Sequence, residues 1–340
     1  MAGVTELSVV VAVYGCSGAL RPLHQRLVAS VSQITSSFEL IFVDDRSPDG
    51  SWAILTELAD ADPRVRGFRL SRNFGQHAAI TAGLAQSRGR WVVVMDCDLQ
   101  EPPEAIPVLY ASAQEGYDLV HTRRTRSRHS LARRFASRAY FRLRNVILGT
   151  ATDTDHGTLS LLSRKVVDAF LSVRDQHREY LGLLEWLGFE HTTIEIEQSD
   201  RHEGQSSYTL GRLMRVAIDG LLFQTTVLLR WIVFLGFFVA FGGALLACYL
   251  MYFYFFDDPL PGYTSIAVLL LLIGGLIITM MGVMGLYIGK VFEQAKGRPL
   301  FIIDQHAGAN SALGLHVAPR VGAGVEDQVQ HADLVEERTE

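Results

Sequence analysis

Two acidic residues follow a run of valines in the stretch "RWVVVMDCDLQEPPE". Asp96 and Asp98 are separated by one residue, so in an extended strand both carboxylates would point to the same face. Two carboxylates this close raise each other's pKa unless a cation lies between them. Mg²⁺ or Mn²⁺ takes oxygen ligands and completes its shell with water and phosphate, and Gln100 offers a third oxygen. The spacing therefore predicts a divalent metal site at Asp96, Asp98 and Gln100, although a solvated acidic loop has the same pattern.

A second pair of acids, Asp44 and Asp45, ends the apolar run in "IFVDDRSPDGSW". Carboxylates at such a strand end can accept hydrogen bonds from a ribose hydroxyl or a base edge. The chain contains no GxxxxGK loop, and no GxGxxG follows a strand. These absences argue against a P-loop NTPase and against an NAD-dependent enzyme.

The elements that must position these acids are short apolar runs separated by amphipathic helical patterns. "LSVVVAVYG", "FELIFVDD", "VRGFRLS" and "RWVVVMDCD" alternate in this way through the first hundred residues. The alternation predicts an α/β fold with a mostly parallel sheet. Ligands of such sheets bind beyond the carboxyl ends of the strands. The polar residues Tyr14, Asp44, Asp45, Asp96 and Asp98 lie at those ends.

Residues 231–256 and 263–289 contain no charged side chain. Each run is long enough to cross roughly 30 Å of hydrocarbon as a helix, which predicts a two-helix transmembrane hairpin at residues 231–289. The connector "DDPLPG" has no Lys or Arg, whereas basic residues flank both outer ends, so the rest of the chain is predicted to be cytoplasmic. A helical hairpin buried in a soluble core is the alternative.

Basic residues are concentrated between Arg123 and Arg144, where nine arginines and no acids occur. Residues 131–143 and 209–222 both have amphipathic periodicity. The second of these segments leads into the first apolar run, so we expect it to lie at the membrane surface. Nucleic acid is a weaker partner for the arginines because no aromatic platform motif accompanies them. Anionic lipid headgroups or a polyprenyl phosphate fit better.

Composition and charge limit the remaining classes. The chain has 340 residues, 49% of them hydrophobic, and a formal net charge of −5. Two arginines and seven acids beyond residue 300 account for that charge and predict an acidic, disordered tail. Cys16, Cys97 and Cys248 are scattered, so we expect neither a metal motif nor a disulfide framework, and a reducing compartment.

Seven ordered segments carry a family resemblance: "VVVAVYG", "IFVDDRSPDGS", "LSRNFGQHAAITAGL", "VVVMDCDLQEPPE", "LLSRKVVDAF", "LEWLGF" and "RHEGQSSYTLGRLMRVAIDGLL". In this order, ahead of two apolar runs, they resemble the dolichyl-phosphate mannose synthase-like and bacterial polyprenyl-phosphate glycosyltransferases of glycosyltransferase family 2. The resemblance implies a GT-A fold at residues 1–208, a juxtamembrane helix at 209–230, the hairpin at 231–289 and a cytoplasmic tail at 290–340. It also implies a multi-pass protein of the cytoplasmic (inner) membrane and a homo-oligomer, the family's form being a homotetramer.

The resemblance also implies roles for individual residues. An NDP-sugar would contact Val13, Tyr14, Asp44, Asp45, Asp96 and Arg201, and Mg²⁺ or Mn²⁺ would be held by Asp96, Asp98 and Gln100. The acceptor phosphate would be bound by Arg124, Arg126, Arg133 and Ser137. Asp98, Arg124 and Arg133 would act most directly in catalysis. Asp155, Gly157, Thr158 and Ser160 would line the sugar pocket.

The segment "DHGTLSLLSR" departs from the pattern DxGDFRLLSR that is common in the family. Thr158 replaces the usual inner Asp and Ser160 the usual Arg. A phosphate oxygen that is already anionic near neutral pH, with a second pKa of about 6, can attack without a base, so the change predicts a different sugar. The predicted function is that of a metal-dependent inverting transferase acting on polyprenyl phosphate at the cytoplasmic membrane face. The alternatives are a processive polysaccharide synthase and a catalytically silent, membrane-anchored nucleotide-sugar binder.

Overall fold

The computed structural model describes residues 5–124, 156–173, 175, 178–196 and 263–308, with scattered positions between 234 and 252. The chain divides into two compact units. One consists of Met1–Ser130, Asp153–Gln205 and Gly297–Glu340, and the other of Leu131–Thr152 and Ser206–Lys296. The predicted amphipathic segments at residues 131–143 and 209–222 lie outside the described residues.

The first unit is built on one eight-stranded sheet with the order β7-β5-β6-β4-β1-β2-β3-β8. Its strands are β1 Leu7–Val13, β2 Phe38–Asp44, β3 Val65–Leu70, β4 Trp91–Asp96, β5 Leu119–Arg124, β6 His156–Ser163, β7 His191–Ile196 and β8 Ile303–Ala307. The central strands β4, β1, β2 and β3 are parallel to one another, β5 is parallel to β7, and β6 and β8 join antiparallel. The predicted α/β architecture with a mostly parallel sheet is confirmed.

Helices cover both faces of the sheet because its central strands are apolar on both sides. All seven residues of β1 and of β2 are buried. Val9 and Val11 pack on the face that carries helices α1 Ser17–Val31, α2 Ser51–Ala61 and α4 Ile106–Ala113. Val10 and Ala12 pack on the other face, against α3 Gln76–Gln86, α5 Arg164–Ser172 and α6 Tyr180–Leu187. A short 3₁₀ helix, Pro103–Ala105, precedes α4.

Close packing of α3 against β1 brings the start of that helix to the ends of the strands. A Cβ atom added to Gly83 would lie 2.2 Å from Cγ1 of Val10, so only glycine allows this approach. Helix α3 starts directly after Gly75, whose φ of 98° lies in the region that favours glycine. The chain reverses there and exposes the first turn of α3 beside the strand ends.

Strand β8 comes from the part of the chain that the sequence assigned to the acidic tail. Residues 303–307 pair antiparallel with β3, and Phe301 and Ile303 are buried in the core. Arg46 contacts Asp304 at 3.0 Å. The expected tail therefore does not begin at residue 301, because this apolar segment completes the edge of the sheet.

The second unit contains a long apolar helix, α7 Tyr263–Ala295. Among the described residues it is the one helix long and apolar enough to cross a membrane, at Ile273–Ala295. Met281 and Ile288 are 66% and 64% exposed, the opposite of what a helical hairpin in a soluble core would show. The described positions between 234 and 252 are also helical, and a Cβ on Gly236 would lie 3.7 Å from Cε of Met280.

Candidate active site

Three neighbouring strands of the sheet end at the same edge with the predicted site residues. Val13 of β1 is in register with Asp44 of β2, and Ala12 is in register with Asp96 of β4. The strand ends therefore bring together Tyr14, which is 54% exposed, and the two acidic segments. This is the position where parallel α/β sheets bind their ligands.

The carboxylate of Asp96 is held from two sides. Its Oδ1 accepts a hydrogen bond from Nε2 of Gln76 at 2.6 Å, and its Oδ2 accepts one from Oγ1 of Thr158 at 3.0 Å. Gln76 is the first residue of α3 and Thr158 lies in β6. Two elements on opposite sides of β4 thus fix the orientation of this side chain.

Asp98 is positioned by a turn and not by the strand, since β4 ends at Asp96 and residues 97–100 turn. Leu99 has a positive φ of 60°, which a non-glycine residue seldom adopts. The backbone N–H of Gln100 donates to Oδ1 of Asp98 at 3.2 Å. The expectation that alternation along a strand places Asp96 and Asp98 on one face is therefore wrong, because the chain leaves the extended conformation between them.

Burial, together with the negative charges of Glu101 and Asp98, raises the pKa of Asp96 to about 6. The hydrogen bonds from Thr158 and Gln76 oppose this change but do not cancel it. A partly buried carboxylate beside two like charges favours a bound cation. Among the described residues no group of three His, Cys, Asp or Glu side chains is arranged to hold a metal ion. A cation here would therefore have few protein ligands, as Mg²⁺ commonly does.

Glu101 is a buried residue of the site that sequence reasoning missed. It is 3% exposed, and its Oε2 accepts a hydrogen bond from the backbone N–H of Leu159 at 2.7 Å. A Cβ on Gly157 would lie 2.1 Å from Oε1 of Glu101 and 2.7 Å from Oγ1 of Thr122. Glycine at 157 thus makes room for this acid. The sequence indicates Glu101 only through its position, three residues after Asp98 and directly after the turn at residues 97–100.

The two residues that depart from the family pattern occupy different surroundings. Thr158 is partly exposed and contacts Asp96, whereas Ser160 is fully buried. Oγ of Ser160 lies 2.7 Å from Oη of Tyr180 and donates to the backbone oxygen of Thr158 at 3.1 Å. Ser160 therefore supports the backbone of Thr158 from within the core, whereas the side chain of Thr158 contacts Asp96.

His77 links the site to α6. Its Nδ1 accepts a hydrogen bond from the backbone N–H of Tyr180 at 3.2 Å, so the tautomer with the proton on Nε2 is assigned. Desolvation of the imidazole by the surrounding protein lowers the pKa of His77, although the residue keeps an exposed face and the charge of Glu179 opposes the change. His77 is the second residue of α3 and Tyr180 the first of α6, so this hydrogen bond joins the starts of the two helices.

The two acids at the end of β2 are buried and accept hydrogen bonds from backbone N–H groups. Asp44 accepts a hydrogen bond from the backbone N–H of Ser47 at 2.9 Å, and its Oδ2 lies 3.0 Å from Nε of Arg69 without hydrogen-bond alignment. The two oxygens of Asp45 accept from the backbone N–H groups of Phe74 and Gly75, at 2.7 and 2.8 Å. Burial raises the pKa of both acids. Asp45 thus holds the loop that precedes α3.

Several predicted site residues cannot be placed beside these groups. Arg124 is the last residue of β5, with Ile196 as its partner in β7. Arg126, Arg133, Ser137, Asp155 and Arg201 lie outside the described residues. Their assignment to the acceptor phosphate, the sugar pocket and the donor diphosphate stays a prediction.

A disulfide joins Cys16 and Cys97, with their Cα atoms 6.3 Å apart. The expectation of no disulfide is wrong, because the pairing of β1 with β4 brings together two residues that are 81 positions apart in the chain. Cys248 is free and exposed. Cys97 lies between Asp96 and Asp98 in the sequence. The disulfide therefore links this acidic segment covalently to the loop after Tyr14.

The family model for glycosyl transferase family 2 matches residues 8–171, which include the strand ends, the acidic turn and the segment from Gly157 to Ser160. The chain is also 32% identical over 305 residues to an uncharacterized glycosyltransferase, YkcC, of Bacillus subtilis (strain 168), covering 89% of this chain and 94% of that protein. The chain belongs to glycosyltransferase family 2. The recognised resemblance is thereby confirmed, and the sheet described above is the GT-A-like fold of a glycosyltransferase.

Two further relatives have more specific names. This glycosyltransferase is 34% identical over 314 residues to undecaprenyl-phosphate 4-deoxy-4-formamido-L-arabinose transferase of Proteus mirabilis (strain HI4320), covering 90% of this chain and 95% of that protein. It is 35% identical over 318 residues to the protein of the same name in Pseudomonas savastanoi pv. phaseolicola (strain 1448A / Race 6), covering 90% and 92%. The similarity extends beyond the residues that the family model matches.

Proposed function

We propose that this glycosyltransferase moves a sugar from a nucleoside-diphosphate donor to a polyprenyl phosphate, with inversion at the anomeric carbon and with a divalent metal. The observation that carries the proposal is the similarity over nine tenths of the chain to transferases whose name specifies undecaprenyl phosphate as acceptor. The acidic strand end supplies the donor half of the site.

The metal would be held at Asp96 and Asp98, with Gln100 nearby. Asp96 is partly buried beside two other acids, so a bound cation would offset the repulsion among the three charges. Its hydrogen bonds from Gln76 and Thr158 fix the carboxylate before the cation arrives. A bound Mg²⁺ or Mn²⁺ would stabilise the negative charge that develops on the departing nucleoside diphosphate.

The acceptor needs no protein base under this proposal. A lipid phosphate is anionic near neutral pH, with a second pKa of about 6, and its oxygen can attack the anomeric carbon directly. The task of the protein is then to orient the phosphate, which we assign to Arg124, Arg126, Arg133 and Ser137. The absence of an acid at position 158 is compatible with this chemistry, because Thr158 donates a hydrogen bond to Asp96 instead of accepting a proton.

The acceptor chemistry requires a membrane location, and the second unit supports it. Helix α7 has the length and composition of a spanning helix, and a described helical position of the other apolar run, Gly236, approaches Met280. We infer that residues 231–256 form the other helix of a transmembrane hairpin, ahead of α7 in the chain. The basic flanks of both runs would then place the catalytic unit and the C-terminus on the cytoplasmic face.

The donor sugar is the part of the substrate that Thr158 would select. In the family pattern this position is an acid, and here it is a neutral hydroxyl that contacts a metal-site carboxylate. A donor screen with UDP-, GDP- and dTDP-sugars would identify the nucleotide and sugar. Thr158→Asp should change the order of preference among those donors, whereas a large gain in rate on the best natural donor would overturn this assignment.

The phosphate assignment has its own test. Arg133→Ala should raise the apparent KM for undecaprenyl phosphate more than the KM for the nucleotide sugar. Arg21→Ala is a matched control, since Arg21 is an exposed arginine of α1 that pairs with Glu57. A selective rise in the donor KM of the Arg133 variant would reassign that residue to the donor diphosphate.

A further inference from the structure

The disulfide between Cys16 and Cys97 lies at the turn of residues 97–100, which we call the metal turn, and beyond the paired residues of β1 and β4, although both cysteines pack in the hydrophobic core. The last paired residues of β1 and β4 are Ala12 and Asp96, and both cysteines come after them in the chain. Cys16 precedes the first residue of α1 and Cys97 is the residue between Asp96 and Asp98. The backbone pairing of the two strands does not depend on this covalent link.

A disulfide in this position is unexpected for a catalytic unit that faces the cytoplasm. Cytosolic thiols are kept reduced, and the disulfides that do form there are mostly transient, catalytic or redox-sensing. Both cysteines are buried, at 8% and 6% exposure, but Gly15 and Gly18 beside Cys16 are exposed. A Cβ on Gly15 would meet no atom within 4 Å, so the loop leaves open space next to Cys16.

We propose that Cys16 and Cys97 form a reversible dithiol–disulfide site that controls the metal turn. The link fastens residue 97, and with it the turn at residues 97–100, to the loop that carries Tyr14. Opening the link leaves β1 and β4 paired and frees the turn that positions Asp98. The inference rests on the proposed function in one respect, namely that Asp96 and Asp98 hold a divalent cation.

The chemistry balances with a low-molecular-weight disulfide as the oxidant. Each cysteine thiol loses one proton and one electron when the Cys16–Cys97 bond forms. The S–S bond of the oxidant breaks, and its two halves leave as thiols after passing through a mixed disulfide with one cysteine. A dithiol reductant reverses the reaction, returning two thiols to the protein.

Reduction of the disulfide should weaken the binding of Mn²⁺, because the link positions the turn that carries Asp98. In the oxidised protein the turn is tied at its first residue, so Asp98 is held near Asp96 before a cation binds. In the reduced protein the cation must order the turn. Groups that orient metal ligands change metal affinity by roughly 10- to 100-fold when removed. We expect the dissociation constant for Mn²⁺ to rise about tenfold on reduction.

The experiment uses the full-length protein in detergent with Cys248→Ser as the background, because Cys248 is free and exposed. Alkylation under denaturing conditions and mass measurement should count no thiols after treatment with oxidised glutathione and two after treatment with a dithiol. Mn²⁺ binding, followed by the loss of the free-ion electron paramagnetic resonance signal, should weaken about tenfold in the reduced protein. It should recover when oxidised glutathione is added again.

Cys16→Ser/Cys97→Ser in the same background is the matched control. It should bind Mn²⁺ like the reduced protein and should not respond to either reagent, with its thermal midpoint reported alongside to show that it folds. Two free thiols after oxidation would overturn the disulfide itself. Equal Mn²⁺ affinity in both redox states would overturn control of the turn. No Mn²⁺ binding in either state would overturn the metal site, while the thiol count would still decide whether the disulfide forms.

Discussion

Replacing Asp96 by Asn should stabilise the metal-free protein and abolish its metal response. In the folded protein burial and the charges of Glu101 and Asp98 raise the pKa of Asp96 from its ordinary 3.8 to about 6. The charged form is therefore disfavoured on folding. An Asn side chain keeps both hydrogen bonds, because its oxygen can accept from Gln76 and its amide can donate to the hydroxyl of Thr158.

The magnitude follows from the pKa change. A pKa that rises from 3.8 to about 6 on folding corresponds to about 3 kcal/mol of unfolding free energy lost when the group is charged. Asp96→Asn recovers up to that amount at about pH 8, where wild-type Asp96 is ionised. For a unit of this size the midpoint of thermal unfolding should rise by roughly 6–12 °C.

The difference in unfolding free energy between the wild type and Asp96→Asn should depend on pH. Between pH values of about 4 and 6 the folded protein binds the Asp96 proton more tightly than the unfolded chain does. The wild type therefore regains stability relative to the variant as pH falls through about 6, and the difference disappears below about pH 4. The assay is thermal unfolding of the detergent-solubilised protein in EDTA across this pH range. A variant less stable than the wild type at about pH 8 would refute the account of Asp96.

Added Mn²⁺ and a second variant provide the controls. At a concentration one hundred times its dissociation constant, Mn²⁺ should stabilise the wild type by about 2.7 kcal/mol and leave Asp96→Asn unchanged. Asp62→Asn should behave in the opposite way. Hydrogen bonds from Arg64 lower the pKa of Asp62 to about 2, so this variant should lose about 2 kcal/mol above pH 4. That loss should shrink as pH falls towards 2.

Three further substitutions test the packing around the site. Gly157→Ala should lower transfer at least tenfold because its Cβ would displace the carboxylate of Glu101. Tyr180→Phe should cost about 1 kcal/mol of stability by removing the hydrogen bond to Ser160, measured by thermal unfolding. Asp45→Ala leaves two partly buried N–H groups without their carboxylate partner and should cost about 2 kcal/mol; an unchanged thermal midpoint would show that Asp45 does not hold the loop before α3.

The general position of the site could be predicted from the sequence because it depends on local patterns. Apolar runs that end in acids indicate parallel strands, and the carboxyl ends of parallel strands meet at one edge of a sheet. The pattern therefore predicts that Tyr14, Asp44 and Asp96 lie close together. The order of the strands confirms it, since β4, β1 and β2 are neighbours.

Contacts between distant segments could not be predicted in the same way. The pairing of Cys16 with Cys97 depends on β1 and β4 being neighbours, and three scattered cysteines carry no sign of that. The turn at Asp98 departs from the strand geometry because Leu99 adopts a positive φ, which its residue type does not indicate. The burial of Glu101 depends on the absence of a side chain at Gly157, more than fifty positions later.

The most direct test of the central claim is product formation by the purified full-length protein. With Mn²⁺, a radiolabelled nucleotide sugar from the donor screen and undecaprenyl phosphate, the account predicts a radiolabelled product that partitions into organic solvent. The product should disappear in EDTA and in Asp98→Ala. Transfer that survives either treatment, or the absence of a lipid-linked product with every donor, would contradict the proposed function.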